Sequence, residues 1–450
     1  MFRALWFLIQ VGLVVAAAVW ISQRPGFVVV EWLDYKLSAQ IGIFLLGIAV
    51  IVIAALSLYK ILSVIFSVPG RIAEYRREGA RKRGYRAMTR GFVAVAAGDA
   101  KSAGKFAKVT RNLLPDDTGL PLLLDAQAAR MRGEEGNARL SFEKLMKDKD
   151  ASFFGIRGLL KSALDAGDMQ TALEYARKAQ VAQPKQPWVL NTVYELELRN
   201  RLWNDATKTL SKIEKYKALP ADRIRYDMIA LLLIQAQQDD AQGLKGDAMR
   251  KIDRAHRLDP YYVPSTVRLV EKYIARGKTR KATAIVEKAW KVNPHPDLLI
   301  LWDALAPENK PSDMTRRLRW YEKLVAIKPD SAEGQMAAAR AAMQDGLYGE
   351  AKAYLTIAEQ IEPSAKLYKL RAQTEEQTSH DDKKVREWLE KAADAPPSKV
   401  WTCRETGLVY ESWSPVAQPH GAVASIVWGY PMAAGRRGVI AFEPTMIEAA

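Results

Sequence analysis

Residues 166–184 read AGDMQTALEYARKAQVAQP, and the pattern of this stretch decides the fold. Ala172 is followed four positions later by Ala176, so both small side chains lie on one face of a predicted helix. Gly167 stands five positions before Ala172, where the cap of the preceding helix favours a left-handed backbone. Pro184 ends the segment, because proline cannot continue a helix. The stretch therefore predicts the turn and the second helix of a helical hairpin.

The same pattern recurs at intervals of roughly 34 residues over most of the chain. The central position is occupied in turn by Ala103, Ala138, Ala172, Ala206, Ala248, Ala282, Arg317, Ala351 and Val385. The turn glycines are Gly98, Gly133, Gly167, Gly243, Gly277 and Gly346. The step to Ala248 is long, and Gln237 to Gly246 is predicted to form an extended turn. About nine degenerate hairpins are predicted over residues 83–397.

This period and turn pattern resemble the tetratricopeptide repeat (TPR), a helix–turn–helix unit that stacks into a solenoid. The alternative is a long helical bundle with accidental spacing, but the alanine, glycine and proline positions recur in register. The predicted fold class is therefore all-α, with an α-solenoid as the main body. Residues 431–450, rich in small residues, are expected to be flexible.

Two apolar segments near the N-terminus are each long enough to cross a bilayer. The predicted spans, 2–21 and 41–66, form a transmembrane helical hairpin over residues 1–68, with a short loop between them. Ala16 and Ala18 leave a second interpretation open, in which the first segment is a cleaved signal peptide. Either interpretation leaves the second segment as a membrane anchor.

A basic juxtamembrane helix is predicted over residues 69–90, directly after the second span. Its cations include Arg71, Arg76, Arg77, Arg81, Lys82 and Arg83. Positive charge beside a span favours the cytoplasmic side, so a multi-pass protein with its repeats in the cytoplasm is predicted. The same side chains are also suited to contact anionic lipid headgroups.

Composition indicates an interaction protein. The formal net charge of +16 favours acidic proteins, phospholipid or nucleic acid as partners. No recognised nucleic-acid-binding motif accompanies that charge, so we expect no nucleic-acid partner. The one cysteine excludes an intramolecular disulfide framework. Phosphate-binding loops, nucleophile elbows and zinc-protease motifs are absent from the sequence, so we predict neither an enzyme nor a cofactor.

Residues 398–430 differ from the repeats and resemble a zinc-ribbon or rubredoxin-like module. Such a module binds a structural metal with about four ligands, supplied by two C-x-x-C-G turns. Cys403 and His420 stand at two of the ligand positions, but Thr406 and Ala417 occupy the other two. We therefore predict a degenerate module without metal. A weak or intermolecular site for metal or haem at Cys403 and His420 is the alternative.

Several features of the chain occur together. They are two N-terminal spans with Pro25-Gly26 between them, a basic helix, the segment Arg90-Gly91-Phe92 through Ala97-Gly98-Asp99, the segment from Leu120 to Ala129, and the terminal motif Trp401-Thr402-Cys403. In combination they are similar to the bacterial HemY family, the membrane-anchored TPR proteins of haem-biosynthesis operons. This family is unrelated to the protoporphyrinogen oxidase of the same name. The resemblance covers essentially the whole chain, and its most specific parts are the hairpin and the first two repeats.

The resemblance implies a non-enzymatic role at the bacterial inner membrane, in a late step of protohaem synthesis, as a scaffold for pathway enzymes or intermediates. It supplies no catalytic residue. Two other functions stay open: an adaptor that recruits a protease or envelope-biogenesis enzymes, and a porphyrin-handling enzyme or haem carrier. The expected partners are proteins and the lipid bilayer, and no motif supports direct contact with porphyrin or haem.

Stacked repeats present a groove lined by their first helices, which suits a helix or an extended peptide of a partner. By repeat position, Arg157, Lys161, Asn191 and Arg199 are expected to face that groove and meet acidic groups. A solvated outer face is the alternative location for the same side chains. These four residues are therefore the candidate binding residues.

Overall fold

The computed structural model describes residues 26–431, with gaps at 33–34, 116, 118, 149, 308–314 and 380, and a few isolated residues before Gly26. Within that range, side chains are described except at 32–37 and 62–73. The predicted first span, 2–21, and the predicted flexible segment, 431–450, lie almost entirely outside the described residues. Most of the described chain is helical, and its contacts divide it into two units, 1–141 and 142–450.

The first unit begins with a β-hairpin that leads into a long helix. Its elements are β1 (Phe27–Trp32), β2 (Tyr35–Gln40), α1 (Ile41–Ala96), α2 (Ala100–Leu113), α3 (Leu120–Met131) and most of α4 (Glu135–Leu145). β1 and β2 pair antiparallel, with Phe27 opposite Gln40 and Trp32 opposite Tyr35. The hairpin corrects the predicted short loop. Strand β1 forms because the β-branched valines at 28–30 favour an extended backbone.

Helix α1 contains the candidate membrane span. Residues Ile41–Ile61 are long and apolar enough to cross a bilayer, and none of them is buried within the protein. In the described part of the chain, no second helix meets the same criterion. The predicted basic helix at 69–90 is not a separate element, because α1 continues through it to Ala96. The described basic side chains there are exposed: Arg76, Arg77, Arg81, Lys82 and Arg83.

The second unit contains the end of α4 and, over the described residues between 152 and 394, seven helical hairpins. Their helices, taken in pairs, are α5 (Ser152–Asp165) and α6 (Met169–Ala182), α7 (Pro187–Arg199) and α8 (Trp203–Tyr216), α9 (Ala221–Ala241) and α10 (Lys245–Leu258), α11 (Val263–Ile274) and α12 (Thr279–Val292), α13 (Pro296–Ala304) and α14 (Arg316–Ile327), α15 (Ala332–Gln344) and α16 (Tyr348–Ile361), and α17 (Ala365–Thr378) and α18 (Asp382–Asp394).

Burial and backbone geometry confirm the repeat pattern. The alanines at its central position are fully buried, namely Ala103, Ala138, Ala172, Ala206, Ala248, Ala282 and Ala351. The turn glycines have φ between 67° and 78°, namely Gly98, Gly133, Gly167, Gly243, Gly277 and Gly346. Arg201 stands at the equivalent turn with φ 56°, a conformation that costs about 1 kcal/mol for a residue with a Cβ. Small side chains thus allow close helix packing, and left-handed turns reverse the chain.

Helix α9 ends at Ala241, so the predicted extended turn from Gln237 to Gly246 is wrong in its first half. The Asp239 carboxylate lies 2.6 Å from Lys251 Nζ on α10, and this ion pair ties the additional helical residues to the next helix. The long spacing in the repeat pattern therefore reflects a longer first helix and not a longer turn.

In the described residues after α18, five short strands form a C-terminal module. They are β3 (Val400–Cys403), β4 (Val409–Tyr410), β5 (Val416–Ala417), β6 (Ala422–Val423) and β7 (Ile426–Gly429). One sheet has the order β4-β3-β7, and β5 pairs with β6 in a separate hairpin. All of these pairs are antiparallel. Together with β1 and β2, these strands correct the all-α prediction.

Candidate functional site

The C-terminal module packs on the helical hairpins of the second unit. Trp401, Cys403, Trp413, Ala417 and Ile426 are buried in one apolar cluster with side chains of α7, α8, α9, α10 and α11. We call the surface formed by α5, α7, α9, α11, α13, α15 and α17 the first-helix face. The module therefore covers part of the face on which a partner was expected to dock.

Trp401 fastens the module to the start of α13. Its indole Nε1 donates a hydrogen bond to Asp297 Oδ2 at 3.2 Å. The Trp401 ring centroid lies 5.0 Å from that of His295 and 5.2 Å from that of Trp428. Burial raises the pKa of Asp297, and the hydrogen bond from Trp401 opposes that rise. Three aromatic rings and one carboxyl group thus form this contact.

His295 is a buried histidine at the same contact. Its Nδ1 accepts a hydrogen bond from the Asp297 backbone N–H at 3.1 Å, which caps the N-terminus of α13. Its ring centroid lies 4.2 Å from that of Trp428. Burial lowers the pKa of His295 to about 3, and the positive charge of Lys366 acts in the same direction. The imidazole is therefore neutral at physiological pH.

We expect His295 to make the protein less stable as the pH falls below about 6.5. In the unfolded chain the imidazole takes up a proton near pH 6.5, whereas in the folded protein it does so near pH 3. The unfolded state binds more protons in this window, so the unfolding free energy falls with decreasing pH, by up to about 1.4 kcal/mol per pH unit. His295→Asn keeps a capping acceptor but does not titrate, and should show a shallower dependence in urea unfolding.

Wild-type protein is the matched control for that comparison. Asp227 contributes the opposite slope, because burial raises its pKa to about 6, and it is present in both proteins. Equal pH dependences of the two unfolding free energies would contradict the assignment to His295.

Two turns in the module are closed by the same kind of backbone hydrogen bond. Gly407 N–H donates to the Cys403 carbonyl at 2.8 Å, and Gly421 N–H donates to the Ala417 carbonyl at 2.8 Å. The two glycines have φ of 71° and 79°. The Gln418–Pro419 peptide bond within the second turn is cis. Cys403 and Thr406 are the first and fourth residues of one turn, and Ala417 and His420 are those of the other.

Cys403 and His420, one from each turn, meet inside the module. Cys403 Sγ lies 3.2 Å from His420 Nε2 and 3.4 Å from Ser425 Oγ. Burial raises the pKa of the Cys403 thiol, but hydrogen bonds with Ser425 and Thr406 outweigh burial, and the net shift is downward. The two residues predicted at vestigial ligand positions are thus in contact with each other.

These residues do not fit a structural metal site. A structural zinc ion takes four ligands, whereas Cys403 and His420 supply two, Thr406 offers a hydroxyl group and Ala417 offers a methyl group. Over the range that the structure describes, no three His, Cys, Asp or Glu side chains are gathered so as to hold a metal ion. The module is held by its buried apolar side chains and by the contact between thiol and imidazole.

Two of the candidate binding residues lie on α5. Arg157 is half-buried, with its guanidinium carbon 5.5 Å from the ring centroid of Trp188 on α7. Lys161 is also half-buried and stands one helical turn further along. A role of these two side chains in partner binding stays a prediction.

The other two candidates lie on α7 and differ in exposure. Asn191 is buried, and its side-chain amide donates to the Ala218 carbonyl at 3.3 Å. Arg199 is exposed, and its charge opposes the rise that burial causes in the pKa of Glu195. Asn191 thus has a partner within the chain, and the binding role of both residues also stays a prediction.

The sequence reasoning missed the residues that hold the module on the helices. Trp413 contacts Tyr262 on the helical side, with ring centroids 6.1 Å apart, and Trp401 bonds Asp297 as described above. The signal available in the sequence was the density of tryptophans after residue 400, at 401, 413 and 428. A short module cannot bury three indoles by itself, so a surface elsewhere in the chain was required.

The comparison with known families concerns the first unit. Residues 26–133 match the HemY protein N-terminus. The resemblance to the HemY family is confirmed over this segment. The HemY match starts immediately before β1, includes the candidate span in α1, and ends just after α3.

Similarity to individual proteins extends over more of the chain than the HemY match does. Probable magnetosome protein Mms48 of Magnetospirillum gryphiswaldense is 24% identical over 430 residues, which cover 95% of this chain and 93% of that protein. A solved tetratricopeptide repeat protein from Parabacteroides merdae is 17% identical, covers 54% of this chain and 99% of its own, and has a TM-score of 0.25. The C-terminal part of a TPR repeat-containing protein from Cytophaga hutchinsonii is 16% identical, covers 52% and 93%, and has a TM-score of 0.29.

Proposed function

We propose that this chain is a non-enzymatic TPR scaffold of the bacterial inner membrane that acts in a late step of protohaem biosynthesis. It organises pathway enzymes or intermediates through protein–protein contacts. The HemY match carries the proposal, because residues 26–133 join the candidate membrane span to the first repeat helices in one segment. The hairpins of the second unit support it, since stacked hairpins expose an extended surface for proteins.

The proposal includes a topology. The candidate span is followed on the same helix by exposed cations from Arg76 to Arg83, and such charge favours the cytoplasmic side of a membrane. The repeats then lie in the cytoplasm, next to soluble and membrane-bound enzymes. With the first span at 2–21, the chain is a multi-pass protein.

The test combines crosslinking in intact membranes with porphyrin analysis of a deletion strain. The tagged full-length chain is extracted in detergent, and its crosslinked partners are identified by mass spectrometry. Late haem-pathway enzymes should be enriched, and the deletion strain should accumulate porphyrin intermediates. Complementation with the full-length gene is the control and should restore the porphyrin pool. An unchanged pool without pathway enzymes among the crosslinked partners contradicts the proposal.

The alternative is a membrane-anchored adaptor that recruits a protease or envelope-biogenesis enzymes. The C-terminal module supports it through its resemblance to a rubredoxin-like tail, because both turns keep the closing hydrogen bond at Gly407 and Gly421, although Thr406 and Ala417 stand at two of the four ligand positions. The adaptor predicts altered lipopolysaccharide with normal porphyrins, so the same deletion strain distinguishes the two functions.

A further inference from the structure

One stretch of the first-helix face carries exposed side chains in a regular array. Helices α13, α15 and α17 each present two exposed residues one helical turn apart, which therefore lie on the same side of their helix. The pairs are Ile300 and Ala304, Arg340 and Gln344, and Lys369 and Gln373. We call these six residues the basic stretch. Ile300 is 70% exposed and is the one large apolar side chain among the six.

The charge of the basic stretch is not neutralised within the described chain. Arg340 and Lys369 form no hydrogen bond or ion pair with any described residue, whereas nearby Lys366 pairs with Glu333 at 2.7 Å. A cavity of about 320 Å³ is lined by Arg340, Lys366, Lys369 and Gln373 and has no acidic residue in its wall. Unpaired cations in a concave, partly apolar surface attract an acidic ligand.

A second cavity extends the basic stretch to its apolar end. Its volume is about 390 Å³, it shares Arg340 and Lys366 with the first cavity, and Ile300 and Gln344 also line it. Asp303 is the acidic residue in the wall of this second cavity. Its carboxylate already has partners, because it accepts a hydrogen bond from Tyr321 and pairs with Arg317. The two cavities therefore share part of their lining and together offer cations, amides and apolar side chains, of which Ile300 is the most exposed large one.

We infer that the basic stretch is the docking site for an acidic segment of a partner protein. Arg340 and Lys369 bind carboxylates of the segment, and Ile300 packs against an apolar side chain. The carboxamides of Gln344 and Gln373 have both a donor and an acceptor, so they can bind the peptide backbone of an extended segment. A peptide fits better than a nucleic acid, because the six residues of the stretch include no aromatic ring on which bases stack. This inference rests on the proposed scaffold function and locates its contact surface.

The test measures peptide binding to the full-length chain in detergent micelles by fluorescence anisotropy. The probe is a short labelled peptide of glutamate and leucine, and the comparison probe has lysine in place of every glutamate. Wild-type protein should bind the acidic probe and not the basic one. The double variant R340E/K369E should bind the acidic probe about tenfold more weakly, because two attractive ion pairs become repulsive.

The matched control is the double variant R254E/K281E. Arg254 on α10 and Lys281 on α12 are exposed cations on second helices, so this variant has the same change in net charge away from the basic stretch. Its affinity for the acidic probe should fall about twofold at most, because the lower net positive charge attracts the probe less strongly. All four residues are exposed, so both variants should melt as the wild type does. Equal losses in the two variants, or no loss in either, would overturn the inference.

The crosslinking experiment in membranes separates this inference from the scaffold function. If R340E/K369E still enriches the pathway enzymes as the wild type does, the basic stretch is not their docking site and the scaffold proposal stands. If the wild type itself enriches no pathway enzyme while the acidic probe still binds at Arg340 and Lys369, the docking site stands and the scaffold proposal fails.

Discussion

Replacing Thr406 and Ala417 together with cysteine is expected to create a tight zinc site in the C-terminal module. Both turns are closed by the same kind of backbone hydrogen bond and have similar glycine φ values, and the four positions are their first and fourth residues. Cys403 Sγ and His420 Nε2 already approach to 3.2 Å. The double variant therefore brings three thiolates and one imidazole together, a common ligand set for structural zinc. An affinity in the nanomolar range or tighter, about 12 kcal/mol, is expected.

The new site is tested by gel filtration followed by elemental analysis, which counts the zinc ions bound per chain. The wild type should retain no stoichiometric zinc, and the T406C/A417C variant should retain one ion per chain. Cobalt in place of zinc should give the intense visible absorption of a tetrahedral thiolate site. His420→Ala in the double-cysteine background is the control, since it removes one ligand and should weaken binding sharply. A double variant that binds no zinc would show that the four positions do not converge.

Trp401→Ala is expected to release the module from the first-helix face. The substitution removes a buried indole, its hydrogen bond to Asp297 and its ring contacts with His295 and Trp428. Truncation of a buried tryptophan to alanine costs about 3–5 kcal/mol. Trp401→Phe keeps an aromatic ring but loses the hydrogen bond, which costs about 1 kcal/mol. Trp401→Phe should therefore destabilise the closed module less than Trp401→Ala does.

The one cysteine of the chain provides the measurement. Cys403 has no exposed surface, so a thiol reagent reacts only when the module opens. A loss of about 3 kcal/mol raises the open fraction, and hence the labelling rate, roughly a hundredfold in Trp401→Ala. Trp401→Phe should increase the rate only severalfold. Equal labelling rates in the wild type and Trp401→Ala would mean that Trp401 does not hold the module closed.

Much of the solenoid could be predicted from the sequence because its determinants are local. A buried alanine such as Ala172 and a left-handed glycine such as Gly167 act within a few residues of each other, so their spacing is visible in the chain. The same holds for the candidate span at Ile41–Ile61. The HemY resemblance was also strongest in this first part of the chain, and the match over 26–133 lies there.

The placement of the module could not be predicted in this way. Trp401 and Asp297 are 104 positions apart, and no local pattern in either segment indicates its partner. Repeat position alone, from which the candidate residues on α5 and α7 follow, cannot tell a buried side chain such as Asn191 from an exposed one such as Arg199. Long-range burial decides that difference, and it depends on the whole unit.

The contact between Trp401 and Asp297 also sets an order of events during synthesis. The ribosome must add 104 residues after Asp297 before Trp401 exists, which takes roughly 5–20 s at ordinary elongation rates. During that time the growing chain is already joined to its apolar α1 segment, while the surface of α9, α11 and α13 has no cover. Chaperones that bind exposed apolar surface have these seconds in which to act on the nascent protein, and completion of the C-terminal strands ends the interval.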